Sequence, residues 1–510
     1  ITDDFFYKIE KSEMKKCIAV VLFIIIFLNF EIQSQGQVIS PSEYLGYNLG
    51  EAFKPHYKVT GYLEKVSDQS ARAEFSNYGE TYEGRPLNVL IISSEENIGN
   101  LENIRINNLR KAGITPGEPD KNGKIIVWLS YNVHGDEASS TEAAMATVYK
   151  LLSVDDQVGE WLENTIVIID PCINPDGRDR YVNWYKENKS NILLTNPIEA
   201  AHVQEWPRAR SNHYLFDLNR DWTWLSQIET RHRIKLYNEW LPQIHVDFHE
   251  QSYNSPYYFA PAAQPYHVLI TQWQKDFQVE IGKNHAKYFD ENNWLYFTKE
   301  RFDLFYPGYG DTYPTFNGAI GMTYEQAGGG RAGLGIITET GDTLTLLDRL
   351  THHFTTSIST IEVSSNNAED LETNYINFFS TAKKPVSDGF NTYIVKSRHG
   401  NKKLRKLIEL LDYHRISYGQ LNNSKSTRGF DYHLNRNVPV SIEPSDLIIP
   451  VQQAKSTLLR VLFEPGSTLV DSLTYDITSW SIPFAFGLET YATDQVIKIE
   501  KEGFAIQPVK

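Results

Sequence analysis

The chain has 510 residues, of which 41% are hydrophobic, 13% aromatic and 22% charged, as expected for a soluble globular protein with more than one domain. Its formal net charge of -15, with no basic tract, argues against nucleic acid and anionic membrane surfaces as main partners. The sequence shows no internal repeat and no long low-complexity segment.

The amino-terminal region carries a targeting pattern. Residues 1–13 precede the first methionine and are taken as a non-native or upstream segment. Residues 14–36 have the pattern of a signal peptide, with two lysines before the apolar run 18–30. A transmembrane anchor is the alternative, but the run is short for a membrane span. Cys17 lies in this segment, so the mature chain would keep only Cys172 and no internal disulfide. This pattern predicts an exported, periplasmic or extracellular bacterial protein without stable membrane association after signal removal.

Strands then alternate with helices through residues 40–363, after an entry segment that ends near residue 85. The predicted strands of this region lie at residues 87–92, 125–129, 165–170, 243–248 and 319–324. The predicted helices lie at residues 98–111, 140–152 and 226–240. This alternation predicts an α/β fold with a mixed, mostly parallel sheet flanked by helices.

The first candidate metal ligands follow the strand at residues 125–129. His134 and Glu137 stand three residues apart on a turn that Gly135 permits, just past the carboxyl end of the strand. Open α/β sheets place their ligands at that end, and an imidazole and a carboxylate at this spacing can reach one cation. This spacing is common by chance, and a solvated loop is the alternative.

Charged residues also follow the strand at 165–170. The run 174–177 (Asn-Pro-Asp-Gly) is a turn, and a turn alone is the simplest interpretation. Arg178 and Arg180 come directly after it, again near the carboxyl end of a strand. A later aromatic and polar loop ends at residues 216–222.

Two more candidates stand at later strand ends. His249 follows the strand at 243–248, and with His134 and Glu137 it completes the two-His, one-carboxylate set of hydrolytic zinc. Glu325 follows the strand at 319–324. It either only ends that strand or supplies the carboxylate that a water-activating base requires at this edge.

The motifs around these residues, in their order along the chain, resemble those of the zinc metallocarboxypeptidase family. The resemblance is to a carboxypeptidase A-like peptidase domain of the large exported bacterial type. The resemblance covers roughly residues 44–360. It implies one Zn²⁺ per chain held by His134, Glu137 and His249, with Glu325 as the general base.

The resemblance also implies that Asn219 and Arg220 hold the terminal carboxylate of the substrate. The oxyanion arginine of the best-known members lies farther beyond the turn, where this chain has Lys189, so Arg180 is chosen and Arg178 is the reserve. The tyrosine that clamps the substrate should be Tyr306, with its near neighbour Tyr309 as the alternative.

The predicted function is that of a secreted zinc-dependent carboxypeptidase, which hydrolyses the C-terminal bond of peptides that have a free C-terminus. A zinc deacylase or an amidase acting on cell-wall peptides is the alternative on the same fold. A non-catalytic peptide-binding protein is the other alternative. Loss of a metal ligand or of the general base would support it, but the sequence retains both.

The C-terminal part is predicted to be separate. Residues 364–390 are expected to form a linker, and residues 391–510 a smaller α/β domain. That domain resembles an amidotransferase-like fold but has no cysteine nucleophile, and its motif at 475–480 is expected to pack on the peptidase domain. The end at Lys510 without an evident terminal element is compatible with truncation.

Overall fold

The computed structural model describes residues 38–504 apart from 122, 400, 470–473, 475 and 478. The upstream segment at 1–13 and the predicted signal peptide at 14–36 lie outside the described residues. In the part that is described, no helix combines the length and the apolar character needed to cross a membrane.

The helices and strands of the described chain are as follows. The helices are α1 (Pro41–Leu45), α2 (His56–Gln69), α3 (Glu95–Gly99), α4 (Leu101–Lys111), α5 (Ser139–Leu152), α6 (Asp156–Asn164), α7 (Pro175–Asn188), α8 (Ile228–Trp240), α9 (Gln272–Glu291), α10 (Thr312–Phe316), α11 (Leu346–Asn366), α12 (Ala368–Ala382), α13 (Asn401–Tyr413), α14 (Ser456–Phe463) and α15 (Ile482–Phe486). The strands are β1 (Ala73–Glu80), β2 (Pro86–Ile92), β3 (Ile125–Tyr131), β4 (Thr165–Asp170), β5 (Ile244–Gln251), β6 (Tyr257–Tyr258), β7 (Ala263–Tyr266), β8 (Tyr296–Phe297), β9 (Asp303–Leu304), β10 (Ile320–Ala327), β11 (Gly335–Ile337), β12 (Thr343–Thr345), β13 (Thr392–Val395), β14 (Gly419–Gln420), β15 (Lys425–Asp431), β16 (Arg436–Ile442), β17 (Leu447–Pro450), β18 (Thr490–Thr493) and β19 (Lys501–Glu502).

The larger sheet has eight strands in the order β1-β2-β4-β3-β5-β10-β6-β8. The central pairs β3–β4, β3–β5 and β5–β10 are parallel, whereas β1–β2, β2–β4 and β6–β10 are antiparallel. Alternate residues of β3 enter two different apolar clusters, because helices cover both faces. The prediction of a mixed, mostly parallel sheet flanked by helices is confirmed.

The predicted turn at 174–177 is in fact the start of helix α7. The side chain of Asn174 accepts a hydrogen bond from the Gly177 N–H at 3.0 Å, and Pro175 occupies the first helical position. Both are favoured choices for a helix start, because the cap pairs a free N–H and proline has none to pair. Arg178 and Arg180 therefore lie on a helix and not in a loop.

The segment expected to be a linker, 364–390, is mostly helical. It contains the end of α11 and all of α12. The polar run at its start misled the prediction, since these residues join two helices without a spacer. α12 buries Leu371, Tyr375 and Phe379, and the Tyr375 hydroxyl donates to the Leu241 carbonyl at 2.9 Å.

The second sheet has seven strands in the order β16-β15-β18-β13-β17-β14-β19. Its described pairs are antiparallel, in contrast to the centre of the larger sheet. Along the chain, β14 and the hairpin β15–β16 separate α13 from β17, and β17 pairs antiparallel with β13.

The two sheets share packing and are not separated by a linker. One apolar cluster contains Trp128 and Tyr313 from the first region together with Leu411 and Leu458 from the second. The buried amine of Lys455 donates to the side-chain oxygens of Asn238 and Asn317, in both cases at 2.6 Å.

Candidate active site

Three of the predicted side chains converge at the carboxyl end of the larger sheet. His134 and Glu137 lie in the turn after β3, and His249 lies on the neighbouring strand β5. His134 Nδ1 is 2.8 Å from Glu137 Oε1, and His249 Nδ1 is 3.0 Å from Glu137 Oε2. The two Nδ1 atoms are 3.2 Å apart. All three side chains are buried and direct one donor atom each toward the same small volume.

The turn that carries His134 and Glu137 is held by short-range contacts. Asn132 donates from Nδ2 to the carbonyl oxygens of His134 at 2.6 Å and Glu137 at 3.0 Å. Gly135 lies so close to the start of α7 that a Cβ there would be 2.1 Å from the Gly177 carbonyl carbon. Any other residue at 135 would therefore push the turn away from α7 and displace both side chains.

Carboxylates meet the far side of both imidazoles. His134 Nε2 is 3.0 Å from Asp217 Oδ1, and His249 Nε2 is 3.0 Å from Asp247 Oδ2, an ion-pair distance without hydrogen-bond alignment. Burial opposes charge on both rings, but the adjacent carboxylates raise the pKa of His134 and raise that of His249 strongly. These contacts orient each ring so that its Nδ1 faces Glu137.

These residues fit a zinc ion. Their ligand atoms lie within 4.8 Å of one another, and they are the one such group of three among the described residues. Two imidazole nitrogens and one carboxylate form a typical donor set of hydrolytic zinc. Although burial works against ionisation, the histidines hold the pKa of Glu137 well below its usual range, which keeps this carboxylate anionic and ready to bind a cation.

Glu325 lies on β10 directly beside His249 of β5 in the parallel register. It lines the same cavity of about 240 Å³ as the three ligands. Burial, with a further contribution from the charge of Glu137, raises the pKa of Glu325 to about 8. A carboxyl group with a raised pKa at a pocket wall has the character of a proton acceptor and donor near neutral pH.

Arg210 reaches this cavity and was missed by the sequence prediction. Its Nη1 donates to Glu137 Oε1 at 3.1 Å, and its Nη2 donates to Asp217 Oδ2 at 3.0 Å. The side chain is 42% exposed and lines the cavity. It is therefore placed to face negative charge that develops beside the three ligands.

The structure puts Arg180, the predicted oxyanion residue, outside the cavity. Its guanidinium donates to the carbonyl oxygens of Arg208, Ser211 and Asn212 at 3.2–3.3 Å. These contacts attach the loop around Arg210 to α7. Arg180 thus supports the loop of the arginine that enters the site, because its position on α7 directs it toward that loop.

Arg178, the reserve, is also outside the cavity. Its side chain is 0% exposed, and Nη2 pairs with Glu142 Oε1 at 2.7 Å. Nε and Nη2 donate to the Lys54 carbonyl oxygen at 3.2 and 2.9 Å. With every nitrogen engaged inside the protein, Arg178 joins α7 to α5 and the entry segment.

The two candidate tyrosines have different environments. The Tyr306 hydroxyl donates to the Arg220 carbonyl oxygen at 2.9 Å and accepts from Trp224 Nε1 at 2.8 Å, behind the cavity. Tyr309 lines the cavity, and its ring centre is 4.7 Å from the Arg220 guanidinium. Its buried hydroxyl has no hydrogen-bond partner among the described residues. Tyr309, the alternative in the prediction, is thus the tyrosine that faces the site.

Asn219 and Arg220 both line the cavity, in a short 3-10 turn at Leu218–Arg220. Asn219 accepts the Gly310 N–H at 2.8 Å, and its Nδ2 is 3.2 Å from His249 Nε2. The guanidinium of Arg220 pairs with Asp476 from the C-terminal region, Nη2 to Oδ2 at 2.7 Å. The motif at 475–480 does reach the first region through its described residues, as predicted.

One sequence signal pointed to Arg210. It precedes Asp217 by seven residues and Asn219 by nine, within the polar loop that the prediction left unassigned. Short spacing to two polar residues at the end of that loop was the available indication. The predicted oxyanion residues, Arg180 and Arg178, lie instead just after the run 174–177.

A family model, peptidase M14, described as zinc carboxypeptidase, matches residues 59–276. No curated protein matches the chain. The chain is similar to a solved metallo-carboxypeptidase from Burkholderia cenocepacia, with 14% identity, coverage of 62% of this chain and 70% of that chain, and a TM-score of 0.43.

Two further solved structures are similar at the same level. Carboxypeptidase A from Helicoverpa armigera has 15% identity, coverage of 68% of this chain and 77% of that chain, and a TM-score of 0.40. A metallo-carboxypeptidase from Pseudomonas aeruginosa, in complex with (2-guanidinoethylmercapto)succinic acid, has 12% identity, coverage of 62% and 71%, and a TM-score of 0.41.

Proposed function

We propose that this chain, whose residues 59–276 match the zinc carboxypeptidase family model, is a peptide-bond hydrolase that removes the C-terminal residue of peptides in a zinc-dependent reaction. One observation carries the proposal: a single cavity is lined by His134, Glu137 and His249, by Glu325, and by Arg220. Metal ligands, a proton acceptor and a carboxylate-binding cation are thus within reach of one bound peptide.

Arg220 and Asn219 support the restriction to a terminal bond. A guanidinium can bind a carboxylate through two parallel hydrogen bonds, and this pairing is stronger than one between neutral groups. Arg220 is stacked on the Tyr309 ring, which limits its movement. Peptides with a free α-carboxylate would therefore be anchored with the last bond near the metal ligands.

The remaining residues support hydrolysis of that bond. When held by His134, Glu137 and His249, zinc supplies a Lewis acid that lowers the pKa of water. Glu325 takes a proton from the attacking water and passes it to the leaving amine. Arg210, whose guanidinium lies beside Glu137 at the cavity wall, donates hydrogen bonds to the oxyanion that forms on the scissile carbonyl.

The proposal is tested with one peptide and its C-terminal amide, assayed with wild type and Arg220→Ala. We expect wild type to prefer the free acid strongly, and Arg220→Ala to lose most of that preference. Removing one partner of a charge pair costs roughly 30-fold or more in kcat/KM. Arg208→Ala, an exposed arginine in the neighbouring loop, is the matched control and should behave as wild type.

The dependence of the activity on zinc is tested separately. A chelator should abolish the activity, zinc should restore it, and His249→Ala should lose bound zinc in elemental measurements. A preserved preference for the free acid in a folded, zinc-loaded Arg220→Ala protein would contradict the assignment. Wild type that cleaves the amide as well as the acid would favour the amidase alternative.

A further inference from the structure

Arg220 already holds a carboxylate of this chain. Asp476 Oδ2 is 2.7 Å from Nη2 and 2.9 Å from Nε of Arg220. These two nitrogens lie on one edge of the guanidinium, the edge that suits a bidentate carboxylate. The third nitrogen, Nη1, donates to the Asn219 carbonyl oxygen at 3.3 Å and is 3.7 Å from Asp217 Oδ2. Asp476 therefore occupies the edge that a substrate carboxylate would use.

A second contact with the first region lies four residues after Asp476. Trp480 is buried, and its Nε1 donates to the Val461 carbonyl oxygen at 2.9 Å. Its ring packs at 5.1 Å from Phe305 and 6.1 Å from Tyr306, the residue whose hydroxyl binds the Arg220 carbonyl. The C-terminal region thus contacts both the side chain of Arg220 and the residues that support its backbone.

The contact is also displaceable. The side chains of Asp476 and Arg220 are 37% and 25% exposed, so water and a second carboxylate can reach the pair. An ion pair at this exposure is weak compared with a fully buried one. A peptide with a free C-terminus would exchange one carboxylate for another at Arg220.

We propose that Asp476 is a specificity-determining residue, an internal carboxylate that competes with the substrate's α-carboxylate for Arg220. The proposal rests on the proposed function, in which Arg220 binds that α-carboxylate. Free-acid peptides must displace Asp476, whereas amidated peptides have no charge to offer at this position. Asp476 therefore lowers the discrimination between free and blocked C-termini, and it raises KM for the free acids.

The decisive variant is Asp476→Asn, which keeps the shape and removes the charge. We expect KM for a free-acid peptide to fall roughly two- to ten-fold, the scale of a partly exposed ion pair, with kcat little changed. The constants for the amide should not change. Asp476→Ser is the second variant, and Asp494→Asn, at an exposed acid elsewhere in the C-terminal region, is the matched control.

A background without Arg220 separates competition from a structural role. In Arg220→Ala, the further change Asp476→Asn should no longer lower KM, because the two carboxylates no longer share a partner. If Asp476 only held the loop in place, Asp476→Asn would instead alter kcat, or change the kinetic constants of the free-acid and amidated peptides alike.

The outcomes are distinct. An unchanged or raised KM for the free acid in both Asp476 variants, or a fall that persists without Arg220, overturns the competition. Wild type that cleaves no free-acid peptide defeats the proposed function itself. Cleavage of free acids that depends on Arg220 but not on Asp476 defeats this inference alone.

Discussion

In the eight-stranded sheet, the central strands β3, β4, β5 and β10 are buried at every position, whereas β15 and β16 of the seven-stranded sheet each bury only two residues, near their carboxyl ends. A parallel sheet covered on both faces brings the carboxyl ends of its strands to one edge. That edge holds His134, His249 and Glu325. The antiparallel sheet brings no such group together among its described residues, and it contributes to the site through Asp476.

The two regions differ in the burial of the polar groups that they contribute to the site. Polar groups at the edge of the first sheet are removed from water, so their charges act strongly on one another. Asp476 instead reaches the site on a partly exposed segment. Changes at the sheet edge should therefore have large effects, and changes at the contact between the regions smaller ones.

The largest effect is expected from Glu325→Gln. If this carboxyl group carries the proton, kcat should fall by about 10²- to 10⁴-fold, while bound zinc and the unfolding transition stay as in wild type. Steady-state kinetics with elemental measurement of zinc checks this. Glu339→Gln, at an exposed acid that hydrogen-bonds Asn254, should leave kcat unchanged. Near-normal turnover in Glu325→Gln would move the role to another residue.

A large effect on stability is expected from Arg178→Met. It leaves the buried Glu142 without its guanidinium partner and with only the more distant Lys54 amine, at 3.7 Å, among its described charged partners, which costs up to about 3–5 kcal/mol in the free energy of unfolding. Denaturant unfolding at fixed zinc measures it, and Arg180→Met, which removes only bonds to loop carbonyls, should cost clearly less. A stable Arg178→Met protein with a large loss of turnover would return Arg178 to the active site.

The smallest effect concerns the contact between the regions and depends on pH. Burial lowers the pKa of His414 to about 4, although the hydrogen bond to the Thr223 carbonyl oxygen favours the protonated ring. The Tyr313 hydroxyl contacts the other ring nitrogen. Below pH 6.5 the unfolded chain binds a proton there that the folded chain does not, so stability falls from pH 6.5 toward 4. His414→Gln should reduce this slope by about 1.4 kcal/mol per pH unit.

His285 provides the matching measurement in the first region. Burial lowers its pKa to about 3, and it hydrogen-bonds Ser359 and Tyr324. If the shared apolar cluster makes the two regions unfold together, there is one unfolding transition. His285→Gln should then reduce the pH dependence of its free energy by a similar amount. Separate transitions, each sensitive to one of the two variants, would show that the regions unfold independently.

The pattern of the chain was sufficient for the fold class and for the order of the metal-binding residues. Apolar runs indicate buried strands. Polar residues that follow the carboxyl ends of such strands must meet at one edge of a parallel sheet. His134, Glu137, His249 and Glu325 follow this pattern. Strand order brings them to one edge, and the contacts of Asn132 and Gly135 shape the turn that carries the first two. Their catalytic roles stay predictions until the variants are measured.

The tertiary structure decided which arginine and which tyrosine face the cavity. Arg178 and Arg180 stand closer to a strand end in sequence than Arg210, but α7 turns both away from the cavity, while a loop without regular periodicity brings Arg210 in. Spacing predicts a direction only within helices and strands, where the periods are 3.6 and 2 residues. The same limit hid the pair between Arg220 and Asp476, which joins side chains 256 positions apart and exists only because two sheets pack together.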